Sequence, residues 1–532
     1  MLTRRGLLAA TTAAAALPAS APGAHAATPA GVAVMAKQID DIISFDPAEA
    51  YEFSNNECCG NMYRRLVTPD RADSNKVAGD LAEHWDVSAD GKEYTFHLTQ
   101  GAVFASGKPL TAEDAAFSLQ RTVMLNKTPG FILTQFGFTK DNVEKLVQAT
   151  DSHTLKVSLP DAFSPSFFLF CLSANVGSVV EKATALANAT NNDFGNAWLK
   201  THSAGAGAYQ LTQWVASDHV TLDVNPHSGI PVNMKRISIR HVAEPSTQLL
   251  MLQKGDADIV RDLTPDQLTQ IQSSKDFVVT SSGQGTSMYL AMNQKSIPEL
   301  AIPQVRQAIK WAIDYDMISS KITPNAWTTR QGFLPVGLPG ALTDNPFKKD
   351  IAKAKALLAE AGLPNGFSVQ MDYISVPPYG DIGQAVQANL GEAGIKVELL
   401  PGEQRQVITK TRARTHQLAL LYWGTDYFDP NSNAQAFCAN PDDSDTSKLK
   451  ILAWRSHYVD PELTKMVDDA TRELDGAKRV AMYQKMQRIS QERAPFVMMM
   501  QKTASAAMGK GVSGFALGPL PDYTRYSTIA KA

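Results

Sequence analysis

A chain of 532 residues with 44% hydrophobic and 19% charged side chains can build a large core and is too long for one compact unit, so two or three domains are expected. Setting aside Arg4 and Arg5, 48 basic side chains stand against 53 acidic ones, a net charge of −5, with no long basic run. That balance argues against nucleic acid as a partner.

The first 26 residues read as an export signal. Arg4 and Arg5 precede the apolar run 7–17, and Ala24-His25-Ala26 offers a small-x-small cleavage site, the pattern of a twin-arginine signal cleaved after Ala26. The run is short of the roughly 20 residues a bilayer span needs. The later apolar stretch 163–180 is broken by Pro165, Ser166, Ser173, Asn175 and Gly177. No cysteine follows the apolar run before Cys58, so a lipid anchor is not expected and the mature chain should be soluble and free in the periplasm. In that oxidising compartment disulfides persist. A bond between the adjacent Cys58 and Cys59 would be strained, so one of them is expected to pair with Cys171, the alternative being buried free thiols, with Cys438 left over.

Along the chain, alternating runs predict half-buried strands: Tyr94, Phe96 and Leu98 share a face, as do Leu155, Val157 and Leu159, then Val220, Leu222 and Val224. Thr111 and Asp114 bracket the start of a helix over residues 112–124. Pro303 suits the first turn of a helix carrying Val305, Ile309 and Ile313, and Ile351, Ala354, Leu358 and Ala361 repeat that spacing before Gly362. Residues 386–394 followed by 395–399 read helix, glycine stop, strand, so the class is α/β.

Catalytic signals are missing. Gly107-Lys108 lacks both the upstream glycine and the hydroxyl of a phosphate loop, and Gly205-Ala-Gly207 has Gln210 where a dinucleotide fingerprint needs its third glycine. None of the ten histidines falls into a zinc-protease motif, and no serine sits on a nucleophile elbow. The acidic loop Asp442, Asp443, Asp445 lacks the glycine and glutamate of a calcium loop and reads as solvated. One constellation differs. Tyr422-Trp423-Gly-Thr-Asp426-Tyr427-Phe428-Asp429-Pro430 follows the strand-like run 418–421 and packs aromatics around carboxylates, which suits a cationic or amine-bearing ligand, although Asp429 before Pro430 reads rather as a turn residue.

Several segments, in order, resemble the peptide/nickel-type (family 5) solute-binding proteins of ABC importers. They are Ser44-Phe-Asp46-Pro47, Met62-Tyr63-Arg-Arg-Leu66-Val67, Leu81-Ala-Glu83-His-Trp85, Gly101-Ala-Val-Phe104, the Leu110 to Arg121 segment, and Gly205-Ala-Gly207-Ala-Tyr209. The second half adds Val305 to Asp314, Ala356 to Gly362, Ala393-Gly394-Ile395 and Trp423 to Pro430. The resemblance implies a large, type II-like two-lobe clamp: lobe I from 27–66, 196–288 and 498–532, an inserted domain II over 67–195, and lobe III over 289–497. It implies capture of a peptide or amine-bearing solute for an inner-membrane ABC permease by a monomer, without catalytic residues, metal or cofactor. The alternatives are a nickel-chelate or haem carrier of the same family, near which only His416 stands, and an exported hydrolase. By the family's pattern Asp426 would hold a ligand ammonium, Trp423 would line the pocket with Tyr427 beside it, and Tyr51 and Phe53 would touch the ligand. The arginine that peptide binders often carry just before the tryptophan is missing, which leaves Arg412, then Arg414, as the nearest candidates for a ligand carboxylate.

Overall fold

The computed structural model describes residues 28–70 and 72–532, and the export signal expected over 1–26 lies outside the described residues. Strand β1 (Val32–Lys37) buries Ala33, Val34, Met35 and Ala36 in succession, the pattern of a strand covered on both faces. Helix α1 (Phe53–Met62) follows. The chain then builds a separate antiparallel sheet from β2 (Ala82–Val87) and β3 (Glu93–Leu98), crosses through helix α2 (Ala112–Leu125), and completes the sheet with β4 (Val147–Ala149) and β5 (Thr154–Ser158), in the order β2-β3-β5-β4. Tyr94, Phe96, Leu155 and Val157 are all buried beneath it, on the faces their alternation predicts. Helix α2 begins where expected: the Thr111 backbone N–H and hydroxyl donate to Asp114 Oδ2 at 3.0 and 2.8 Å, satisfying groups a helix start leaves free.

A second, far larger sheet runs through the rest of the molecule. Its strands are β6 (Tyr209–Val215), β7 (His219–Val224), β8 (Arg236–His241), β9 (Ile259–Val260), β10 (Phe277–Met292), β11 (Trp327–Thr329), β12 (Ser368–Ile374), β13 (Lys396–Gly402), β14 (Leu418–Gly424) and β15 (Phe496–Gly509). With β1 they form eleven strands in the order β13-β12-β14-β10-β15-β9-β1-β8-β7-β6, and β11 pairs with β15. The helices α3 (Pro303–Ala312), α4 (Ile351–Glu360), α5 (Tyr379–Ala393), α6 (Gln404–Arg412), α7 (Asn431–Cys438) and α8 (Gly476–Arg493) belong to the half beyond β10. Strands β12 and β13 pair in parallel with α5 between them, and Gly394 ends that helix at φ +101°.

The antiparallel pair β10 and β15 is long enough to serve both halves. It pairs from Phe277↔Gly509 to Gly283↔Thr503 beside β9 and β1, and again from Ser287↔Gln501 to Ala291↔Phe496 beside β14. Between these stretches residues 284–286 of β10 stand opposite Lys502 alone, a bulge that bends the ribbon. The molecule is thus an α/β two-lobe clamp whose lobes share this ribbon. One core gathers around Met288–Met292, α3, α5 and β14, another around β1, β7, β8 and the C-terminal Phe515 and Tyr526, and a third beneath the four-stranded sheet.

Two buried ion pairs tie these parts together. Arg121 of α2 donates to both Asp46 oxygens at 2.7 and 2.5 Å, and Asn196 adds a bond of 2.6 Å, so the Asp46 and Arg121 segments are one joint between the insert and the first lobe. Arg479 of α8 donates to both Asp429 oxygens at 2.7 Å, and Asp429 also accepts the Asn431 N–H at 2.8 Å. At Gly207 the constraint is contact: a Cβ there would lie 2.4 Å from the Met62 carbonyl carbon.

Two expectations are corrected. All four cysteines are free and buried, because they occupy different cores: Cys58 and Cys59 beside Phe45 and Tyr526, Cys171 under the insert's sheet, Cys438 beside Phe437. Burial pushes the Cys59 thiol up to about 12, which keeps it protonated and unreactive. The acidic loop is not wholly solvated either. Asp443 accepts from Lys295 at 2.8 Å, from His457 at 2.9 Å and from Arg414, whose guanidinium lies 4.0 Å over the Trp454 ring.

Candidate binding cleft

Between the lobes lies a cleft of ≈ 780 Å³. One wall is Phe53, Ser54 and Glu57 of α1 with Arg261 and Asp262 after β9; the other carries Tyr422 of β14, Gln404 and Pro377; the floor is the ribbon, with Gln284 and Thr286 of the bulge and Lys502 of β15. Side-chain alternation along β14 decides what faces it. Tyr422 lines the cleft, whereas Trp423 turns to the α7 side, edge-on to Phe437 at 6.5 Å, its Nε1–H buried without a partner among the described residues.

The charges on the first-lobe wall are largely neutralised by one another. Glu57 accepts from Arg261 at 2.6 Å, from Lys37 at 3.2 Å and from the Tyr526 hydroxyl at 2.8 Å. Burial alone would raise its carboxyl, but Arg261 and Lys37 pull it down to about 2. Asp262 accepts the Gln38 N–H at 2.7 Å and Gln248 Nε2 at 3.1 Å.

Asp426 is arranged differently. The loop carrying it is pinned by the Thr425 N–H, which donates to the bulge carbonyl of Gly285 at 2.7 Å, and by the Thr425 hydroxyl, which donates to Asn433 at 2.9 Å. Its own partners are hydroxyls: Tyr51 donates to Oδ1 at 2.5 Å from the opposite lobe, and Ser432 donates to Oδ2 at 3.3 Å. No cationic side chain among the described residues lies within ion-pair distance. Burial raises its carboxyl to about 6 while the bonds from Tyr51 and Ser432 pull the other way. Burial first, then the neighbouring Asp426, pushes the Tyr51 phenol far up, so it stays a donor.

Of the residues singled out in the sequence, the structure brings Tyr51 and Asp426 into contact and places Phe53 on the cleft wall, 54% exposed, its ring tip facing Gly424 across the gap. Tyr427 lies behind them, 1% exposed, its ring against Phe131 and Phe167 of the insert. Arg412 is not brought to the cleft. It is exposed at the end of α6, and the seven residues of β14, roughly 20 Å of strand, then carry the chain away before Asp426 is reached. Arg414 is committed to Asp443, as above. His416, also at the far end of β14, is buried, and burial depresses its imidazole to about 3, so it is neutral. Sequence reasoning passed over the Glu57–Arg261–Lys37 cluster and Lys502; the one signal for Lys502 is a lysine just past the apolar run Met498-Met499-Met500.

Comparison with known proteins agrees with this architecture. The profile of bacterial extracellular solute-binding proteins, family 5 (middle), matches residues 76–445. The probable D,D-dipeptide-binding periplasmic protein DdpA of Escherichia coli (strain K12) is 30% identical over 504 residues, 94% of each chain. The dipeptide-binding protein of the same organism is 25% identical over 480 residues, covering 86% of this chain and 87% of its own. Among solved structures, the ABC transporter-associated periplasmic binding protein DppA from Helicobacter pylori, in complex with peptide STSA, superposes with a TM-score of 0.74 at 24% identity, over 94% of this chain and 98% of its own.

Proposed function

The chain belongs to the bacterial extracellular solute-binding proteins of family 5, and from that premise we propose that it captures a short peptide, or another solute with a free amine, in the periplasm and hands it to an inner-membrane ABC permease. The observation that carries this reading is Asp426: a carboxylate at the junction of the lobes, bonded only to hydroxyls and lacking a cation among the described residues, is arranged to accept an ammonium group. A ligand ammonium would stand between the lobes, where Tyr51 now bridges them, and would favour the closed state by binding it better than the open one. The moving bodies would be lobe I (27–66, 196–288, 498–532) and lobe III (289–497), with domain II (67–195) riding on the first through the Asp46–Arg121 joint. No catalytic step is proposed, and a protomer acting alone suffices. His416 gives no support to a metal-chelate or haem carrier, since it is buried at the far end of β14.

Calorimetric titration with a panel of free dipeptides and their N-acetylated counterparts tests this. Binding of a free dipeptide that acetylation abolishes is the expected result; equal binding of the acetylated form, or no binding by any peptide, overturns it. Delivery to the periplasm is proposed to use the twin-arginine route, so lysine at positions 4 and 5 should leave the protein in the cytoplasmic fraction, and normal delivery would point to the general secretory route.

A further inference from the structure

Lys502, exposed on the cleft floor, and Arg455, half-buried near the far end of β14, both lack a carboxylate within ion-pair distance among the described residues. Lys502 belongs to the cleft described above. Arg455 ends the short helix Leu452–Arg455 and lines a separate cavity of ≈ 10 Å³, room for one particle of about the size of a water molecule. Its polar walls are Tyr289 of β10, Thr411 of α6, His416 just before β14, and Ser456, and none of the lining side chains is a carboxylate. The His416 ring is 1% exposed, and neither of its nitrogens has a hydrogen-bond partner among the described residues. The Thr411 hydroxyl is already spent, donating to the Ile408 carbonyl at 2.8 Å. Burial raises the Tyr289 phenol against the opposing pull of Arg455, so it stays a donor.

The charges around this cavity are of one sign. Burial first, then Lys410, Arg455 and His457, hold the His416 imidazole down, and no acid acts on it in the other direction. Lys410 and His457 have acids of their own, Asp372 at 2.8 Å and Asp443 at 2.9 Å. Arg455 has the Lys450 carbonyl, which accepts from its Nε at 3.3 Å, and no counter-charge. Burial therefore works against its guanidinium. A water molecule in the cavity would accept from His416 but leave that charge uncompensated. A small anion accepts from the imidazole N–H, the phenol and the guanidinium together, and supplies the missing charge as well. The volume leaves no room for sulfate or phosphate.

We propose that this cavity is a binding site for one monovalent anion of halide size, chloride in ordinary media, held by Arg455, His416 and the Tyr289 hydroxyl. The bound ion ties the helix Leu452–Arg455 to β10 and to the start of β14, and so stabilises this half of the molecule whatever the cleft holds.

Two measurements test it. Crystals soaked in bromide should show an anomalous peak beside Arg455 and His416 in wild type and none there in Arg455→Met. In solution, the melting temperature should rise with sodium chloride and level off, relative to sodium gluconate of equal ionic strength, because an ion that binds only the folded state stabilises it by mass action. Arg455→Met should lose that rise. Each variant is compared with its own gluconate baseline, so a general loss of stability does not enter. Tyr289→Phe should keep the rise but need about tenfold more chloride for half of it, the loss of one hydrogen bond to a charged group. A wild-type cavity without a bromide peak, filled by water alone, overturns the proposal. Equal melting in chloride and gluconate, or a chloride-specific rise that persists in Arg455→Met, overturns it as well.

Discussion

Asp429 and Asp426 are three residues apart in one loop, yet they belong to different parts of the molecule's electrostatics. Asp429 is fully buried and accepts two bonds from Arg479, so each charge has its counter-charge and the pair joins α8 to the loop. Asp426 is half-buried where the two lobes meet, and its carboxylate meets only the hydroxyls of Tyr51 and Ser432, which stabilise a carboxylate without neutralising it. The Asp46–Arg121 joint repeats the first pattern, and Lys502 repeats the second with the sign reversed. The contrast separates groups that hold the protein together from groups left incomplete by the protein: burying a charge without a partner is costly, so where folding tolerates one beside a cleft, the missing partner is to be sought outside the chain.

The sharpest way to break this contrast is to remove a counter-ion from a joint. Arg479→Met leaves Asp429 buried and unpaired, and a loss of about 3–5 kcal/mol is expected, read as a large fall in the thermal melt. A change below about 1 kcal/mol would place this pair with exposed ones such as Lys465–Asp469 and erase the distinction.

The converse change, Asp426→Asn, keeps size and shape but removes the charge that has no cation and turns one of the two acceptors into a donor. Stability should survive, while affinity for an amine-bearing ligand should fall by about 2–5 kcal/mol, the range for truncating one partner of a desolvated charge pair. Equal dissociation constants for wild type and a folded mutant would move Asp426 to the side of Asp429.

What the sequence could and could not disclose follows the same line. Helix α2 was legible because Thr111 and Asp114 cap it locally, and the faces of β3 and β5 because alternation is a local signal. Asp426 stood out because its aromatic neighbours are adjacent in the chain. The partnerless state of Lys502 was not legible, since it depends on Glu57 and Asp262 being taken by groups up to 224 residues away in sequence. The cysteines misled for a related reason: compartment chemistry suggests pairing, but only the tertiary arrangement shows that Cys58 and Cys171 sit in different cores. The charges of Asp426 and Asp429 look alike in sequence, and only Arg479, fifty positions on, tells them apart.

The smallest expected effect is on pH dependence, and it reports the state of Asp426 directly. Its carboxyl in the empty protein is raised to about 6 from an ordinary 3.8, so the folded protein holds that proton more tightly than the unfolded chain does. Stability of the empty protein therefore falls as pH rises from about 4 to about 6 and stays at the lower level above it. Binding of an ammonium needs the ionised form and runs the opposite way: between pH 7 and pH 5 the ionised fraction drops about tenfold, and affinity should weaken by the same factor. Calorimetry at pH 5, 6 and 7 with wild type and Asp426→Asn separates the contributions, because the asparagine variant should show a weak affinity that is nearly flat with pH. A wild-type affinity equally flat over this range would mean that Asp426 is ionised throughout or untouched by ligand, and in either case its proton would play no part in ligand binding between pH 5 and pH 7.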